Sequence, residues 1–385
     1  MFLKTHFIRI AAPLLLTPSL HAAEIKIPDP LAAPDGQLAT TPDAWMANVR
    51  PPTLQNFREQ IYGVRPVEKP ADFQAKVIRE DPKALDGTAT LKEIEITYSG
   101  PGGSGKFHPL LLIPNSAKSP APTFLLFSFG KPDASIEKEK FGAWPVREII
   151  ARGYATVAFP VSEVDPDRAD GFAEGVRAIF SKQPLAPNAW GALSAWGWGA
   201  SRVMDYLETD KAIDAKRVAL IGHSRCGKAA VWAGAEDPRF SYVISNNSGC
   251  SGAALARTKQ GERIINITTK FPYWFCENYR KYADHEADLP IDQHQLLGLI
   301  APRLLYVASA TQDSWSDPAA EFESCLRAQP VFQMLGKKGL ESETQPAPDQ
   351  AMLDGGIGYH LRTGKHDLAV SDWQHYMDFA DRHWK

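Results

Sequence analysis

The sequence predicts a single α/β domain, a doubly wound and mostly parallel sheet held between two helical layers as a three-layer sandwich. Three observations lead there. Short apolar runs bounded by Pro or Gly recur along the chain, and helix-period segments fall between them. One of those runs enters a tight turn that opens directly into a helix. The 385 residues are 44% hydrophobic and 23% charged, enough for a sizeable core and unlike a disordered chain. Lys and Arg number 42 against 45 Asp and Glu, for a net charge of −3, so no basic excess exists to bind nucleic acid.

The chain opens on a positive stretch with Lys4 and Arg9, a short apolar run from Ile10 to Leu20 and small residues at Ala22 and Ala23. This pattern predicts a signal peptide over 1–22 and a secreted or periplasmic protein. The apolar run is too short to span a bilayer, and no later stretch suggests a membrane anchor. Cleavage would leave 40 basic against 45 acidic residues. Residues 23–80, rich in Pro at first, are expected to form an N-terminal extension packed on a catalytic domain over 81–385. A monomer is the expected state.

Strands are expected at 90–97, 108–114, 122–129, 155–160, 217–222, 302–310 and 357–362. Most are continuous apolar runs, as suits strands buried on both faces. Helices are expected at 145–152, 200–209, 228–236 and 371–384. The last carries Trp373, Tyr376 and Phe379 three residues apart on one face. Cys226, Cys250, Cys276 and Cys325 leave room for zero, one or two disulfides, or for buried free thiols. They show no C-x-x-C spacing, and neither a metal nor an organic cofactor is expected.

The chemistry concentrates at Gly222-His223-Ser224-Arg225-Cys226-Gly227, between the 217–222 strand and the helix after it. A serine in a strand–turn–helix elbow projects its Oγ from the carboxyl edge of the sheet, beside a helix N-terminus that favours negative charge. Such a nucleophile needs a base and an orienting acid, in chain order Ser, acid, His. Asp313, just past the 302–310 strand, fits the acid. Asp317 is the runner-up, although Pro318 after it suggests a helix cap. His366, in the turn after the 357–362 strand, fits the base. Arg225 is a fixed charge beside a developing oxyanion, and a salt bridge fixing the elbow is the plainer reading of it.

The elbow sequence, continued by Lys228, resembles the G-x-S-R-x-G motif of the glucuronoyl esterases, carbohydrate esterase family 15, and its bacterial branch in particular. Ser245–Cys250, Phe271–Cys276, Leu289–His294 and Asp313–Pro318 extend the resemblance over roughly residues 80–384. It implies an α/β-hydrolase fold and a serine esterase of glucuronoxylan. The bond cleaved would join 4-O-methyl-glucuronic acid to a lignin alcohol. Ser224 then resembles the nucleophile, His366 the base and Arg225 the oxyanion arginine. Lys228, Glu262 and Trp315 resemble residues of the sugar site. One position departs from the pattern. Where many members carry a glutamate after the elbow's neighbouring strand, this chain has Asn247, which cannot serve as an anionic partner of an imidazolium. Members with an acid after the later strand support Asp313 instead.

Two other readings compete. An acetyl xylan esterase would use the same three residues. A non-catalytic carbohydrate-binding protein of the same fold would draw on the tryptophan-rich stretch 190–198, since tryptophans can stack on sugars.

Overall fold

The computed structural model of the chain describes residues 26–132, 143–257 and 260–385. The expected signal peptide over 1–22 lies outside them. Among the described residues, eleven strands form one sheet: β1 Gln74–Lys83, β2 Ala89–Gly100, β3 Gly103–Phe107, β4 Leu110–Pro114, β5 Ala121–Ser128, β6 Ala155–Pro160, β7 Ile213–His223, β8 Tyr242–Asn246, β9 Leu304–Ala310, β10 Ala351–Met352 and β11 Ile357–Arg362. Their order is β1-β2-β4-β6-β5-β7-β8-β9-β11-β10, with β3 on β2. The run from β6 through β11 is parallel. Antiparallel strands complete both margins.

Side-chain alternation along each central strand explains the three layers. Leu111, Leu125, Val157 and Leu220 face one core, with Trp196, Trp232 and Phe332 from the helices Ala192–Leu207, Arg225–Glu236 and Pro318–Met334. Leu110, Leu112, Phe124, Ala219 and Ile221 face the other, under the helices Val146–Ala151 and Val370–Trp384. A strand buried on both faces needs no polar alternation, which is why these segments read as continuous apolar runs. Trp373, Tyr376 and Phe379 of the last helix are all fully buried, as their spacing predicts.

Before β1, the segment from Trp45 to Tyr62 sinks Val49, Phe57, Ile61 and Tyr62 into the first core. Burying each large aliphatic or aromatic side chain contributes about 1.5–3 kcal/mol. Tyr62 stacks on Trp232 at 4.4 Å between ring centroids, so this segment braces the helix that follows Ser224. The next strand, β1, pairs with β2 as an exposed edge of the sheet and straddles residue 80.

Two sequence readings change here. The helix expected at 200–209 begins at Ala192 and takes in the tryptophan-rich stretch. Trp196 and Trp198 are fully buried, with their indole N–H groups on the carbonyls of Asp165 and Glu68. Trp190 is also buried and donates to Ser181 Oγ. These rings are core, not a sugar platform, and the binding-module reading loses its support. The four cysteines are all free and buried.

Candidate active site

Parallel strands deliver the expected residues to one edge of the sheet. Ser224 follows β7, Asp313 lies three residues past β9, and His366 lies four past β11. These strands and β8 are consecutive in the sheet.

Ser224 holds φ 58° and ψ −126°, a backbone strain of about 1–3 kcal/mol that fixes the side chain at the head of the helix Arg225–Glu236. The turn closes so tightly that a Cβ on Gly222 would sit 2.0 Å from the carbonyl oxygen of Cys226, so only glycine fits. Ser224 N donates to Asn246 O at 2.9 Å, which ties the elbow to β8. Gly227 N and Lys228 N bond to Ser224 O, and the N–H groups ahead of them have no intrahelical acceptor, as suits an anion site.

His366 and Asp313 meet directly, with Nδ1 2.6 Å from Oδ2. The ring of His366 lies 4.6 Å from that of His223, the residue preceding Ser224. Asp313 is buried, and burial raises its pKa. Hydrogen bonds from His366, Ser316 and Asn247 outweigh that and hold the carboxyl well below the usual range. It stays ionised wherever the imidazole is needed.

Asn247 fills the place of the expected glutamate and acts on Asp313. It adopts φ 46°, which asparagine tolerates, and its Nδ2 donates to Asp313 Oδ2 at 3.0 Å. An acid at 247 and one at 313 would crowd two carboxylates, whereas the amide supplies a donor. Asp317, the runner-up acid, caps the helix Pro318–Met334 by accepting from Ala320 N at 3.1 Å.

His223 is a second imidazole in the site. Its Nδ1 lies 2.6 Å from Asn246 Oδ1. Burial, helped by His366, pushes its pKa down to about 4. The unfolded residue takes a proton near 6.5. Between those two values the unfolded chain binds more protons, so stability falls as pH drops from about 6.5 towards 4. His223→Gln is expected to remove about 2–3 kcal/mol of that acid loss, read from unfolding titrations at pH 7 and pH 4.5. An unchanged difference between the two pH values would refute this.

Arg225 forms the salt bridge that is the plainer reading of it. Its Nη1 pairs with Asp167 Oδ2 at 2.7 Å. Asp167 is fixed in turn by Tyr273 OH at 2.9 Å and Trp274 Nε1 at 2.7 Å. The guanidinium also lies against Trp274, Phe271 and Phe129, at 4.9, 5.4 and 5.7 Å from their ring centroids. Among the described residues, its buried Nε has no hydrogen-bond partner. A rigid cation with a spare N–H beside an elbow serine can stabilise negative charge.

Lys228 is buried. Its Nζ donates to Ser248 O and Cys250 O, both at 2.6 Å, and to Glu262 Oε2 at 3.3 Å. All three ammonium protons are therefore engaged. Glu262 N donates to Trp315 O at 3.0 Å, which joins the two remaining sugar-site candidates. Trp315 itself is 54% exposed.

Two contributors escaped the sequence reading. Asp167 stands 58 positions from Arg225, with no local signal. Fully buried Glu321 accepts from Ser309 Oγ at 2.7 Å and Gly249 N at 2.8 Å, and so braces the loop that Lys228 holds from the other side. Among the described residues, no group of three or more His, Cys, Asp or Glu side chains is placed to share a metal ion.

The chain is similar to known esterases. The family model described as glucuronyl esterase, fungi, matches residues 96–336. A carbohydrate esterase, MZ0003, from an unknown prokaryotic organism is 38% identical over 93% of this chain and 89% of its own length. The solved glucuronoyl esterase from Solibacter usitatus superposes with a TM-score of 0.88 at 40% identity, covering 94% of this chain and 98% of that one. The carbohydrate esterase family 15 glucuronoyl esterase from Teredinibacter turnerae superposes at 0.86 with 30% identity, over 93% and 89%. A 4-O-methyl-glucuronoyl methylesterase from Sodiomyces alcalophilus is 33% identical over 49% of this chain and 39% of its own.

Proposed function

The chain belongs to the glucuronoyl esterase family, carbohydrate esterase family 15, and on that premise we propose that it is a serine esterase of glucuronoxylan. It hydrolyses the ester between (4-O-methyl-)glucuronic acid and lignin alcohols, working outside the cytoplasm. The observation that carries this reading is the 2.6 Å contact of His366 with a buried, ionised Asp313, beside a strained elbow serine.

Ser224 Oγ attacks the uronoyl carbonyl carbon while His366 Nε2 takes its proton. Asp313 holds the ring through Nδ1–H and stabilises the imidazolium as it forms. The oxyanion is met by Arg225, through its spare Nε–H and the helix N-terminus, and by a backbone N–H of Gly130 or Lys131. Collapse of the tetrahedral intermediate expels the alcohol, which leaves with the proton from His366. Water, deprotonated by His366, then attacks the glucuronoyl-enzyme and releases the acid and free Ser224.

Glu262 and Trp315 receive the sugar ring, one by accepting from hydroxyls and the other by apolar contact. Lys228 serves the same site by fixing Glu262. This polar set favours a sugar acid over an acetyl group, which offers no hydroxyls to bind.

A fluorophosphonate probe tests the nucleophile. The wild type is expected to label once, at Ser224, and Ser224→Ala not at all. A wild type that does not label would contradict the reading.

A further inference from the structure

The side chain of His366 is 42% exposed, so packing contributes little to holding the ring in place. Its orientation must come from Asp313 and from the rigidity of the turn Thr363–Asp367. One side chain spans that turn from within. Arg362, the last residue of β11, has a side chain only 11% exposed. Its Nη1 donates to Thr363 O at 3.3 Å, and its Nη2 donates to Lys365 O at 2.7 Å and Asp367 O at 3.2 Å. The last two carbonyls flank His366 on both sides.

The guanidinium is itself anchored. Its Nε donates to Asp372 Oδ2 at 3.1 Å. Asp372 is fully buried in the first turn of the last helix, where the same oxygen accepts from Ala369 N at 2.7 Å. Its other oxygen lies 2.7 Å from His360 Nε2, and His360 Nδ1 lies 3.0 Å from Tyr306 OH on β9. The turn is built around this cation. Gly364 has φ 132°, and a Cβ there would sit 2.7 Å from Arg362 Nη1. From the opposite side, Thr311 N bonds to Arg362 O at 2.9 Å and Gln312 N to Gly364 O at 2.8 Å. Those bonds tie the turn to the segment that carries Asp313.

We infer that Arg362, anchored on the Asp372–His360 pair, is a positioning residue that fixes the His366 turn so that the imidazole bridges Asp313 and Ser224. The inference rests on the reading of His366 as the base. Arginine is required because one planar fork supplies four bonds here, to three carbonyls and a carboxylate. A lysine offers the charge with three protons on a single nitrogen and cannot span the turn.

The test uses the full mature chain and the steady-state kinetics of benzyl glucuronate hydrolysis, well below the melting temperature. Arg362→Lys keeps the charge opposite Asp372. It is expected to lower kcat about tenfold with KM within about twofold, since a small misplacement of a reacting group is costly. Arg362→Ala is expected to lower kcat about 100-fold. Guanidinium chloride at non-denaturing concentration should restore part of that loss, and none of the activity of His366→Ala. Wild-type kcat in Arg362→Lys would show that only the charge matters and overturn the inference. So would wild-type kcat in Arg362→Ala accompanied by a lower Tm. If Arg362→Ala does not fold, Arg362→Lys decides alone. Full activity in His366→Ala would instead remove the base assignment and the inference with it, which separates the two failures.

Discussion

Ser224→Ala is expected to lower kcat for uronoyl-ester hydrolysis by about 10⁴- to 10⁶-fold, while Tm stays within about 2 °C. The size of the effect follows from geometry. The elbow holds φ 58° at this one residue and closes against Gly222, so no neighbouring hydroxyl reaches the same point. What activity remains would come from the oxyanion donors and from substrate binding, which lower the barrier for direct attack by water. The structural effect is small because the change removes a single oxygen and keeps the backbone bond from residue 224 to Asn246 O. Substantial activity in a folded Ser224→Ala protein would move the nucleophile elsewhere.

Asp313→Asn is expected to cost about 10⁴-fold in kcat with little change in KM. An asparagine would fill the same space, but its amide could present N–H to His366 Nδ1 and favour the wrong tautomer. It would also remove the charge that stabilises the imidazolium. Asn247 cannot compensate, because its amide is already the donor on Asp313. Asp317→Asn provides the contrast. Its two carboxylate oxygens accept from Ala320 N and Gln260 N, and an asparagine keeps only one of these acceptors, so the expected effect is about 0.5–1.5 kcal/mol of stability rather than a loss of turnover. Equal kinetic losses in the two variants would contradict the assignment. Thermal melts beside the kinetics separate the cases.

Much of this site was legible because its logic is topological. An elbow serine after one strand requires an acid and a histidine after later strands, and the apolar runs located those strands. The apolar run at 357–362 coincides with β11, and the turn with His366 follows from it. The strand before Ser224 runs longer than its apolar part: Ile213 pairs with Ala121, and a register shift separates that pair from Val218 opposite Thr123. The edge strand β1 was missed since Gln74–Lys83 is largely exposed and charged, with no core side to impose alternation. The helix Pro318–Met334 shows its start at Asp317 and Pro318, while Pro330 within it hides its length.

Side-chain contacts across long sequence separations were not legible at all. Arg225 carries no mark of Asp167, and Lys228 none of Ser248 O. The tryptophan-rich stretch misled because composition cannot tell a buried helix face from an exposed platform. Asn247 looked like a defect in the family pattern, and only the fold turns it into a donor on Asp313.

The most direct test of the central claim is kcat/KM on benzyl glucuronate beside a simple aryl acetate, for the wild type and Ser224→Ala. The account predicts a preference for the glucuronate of at least about 100-fold, on the order of 3 kcal/mol of transition-state discrimination, lost in the variant. Activity confined to the acetate would contradict it. Glu262 and Trp315 would then no longer be sugar-binding residues, and the chain would be an acetyl esterase.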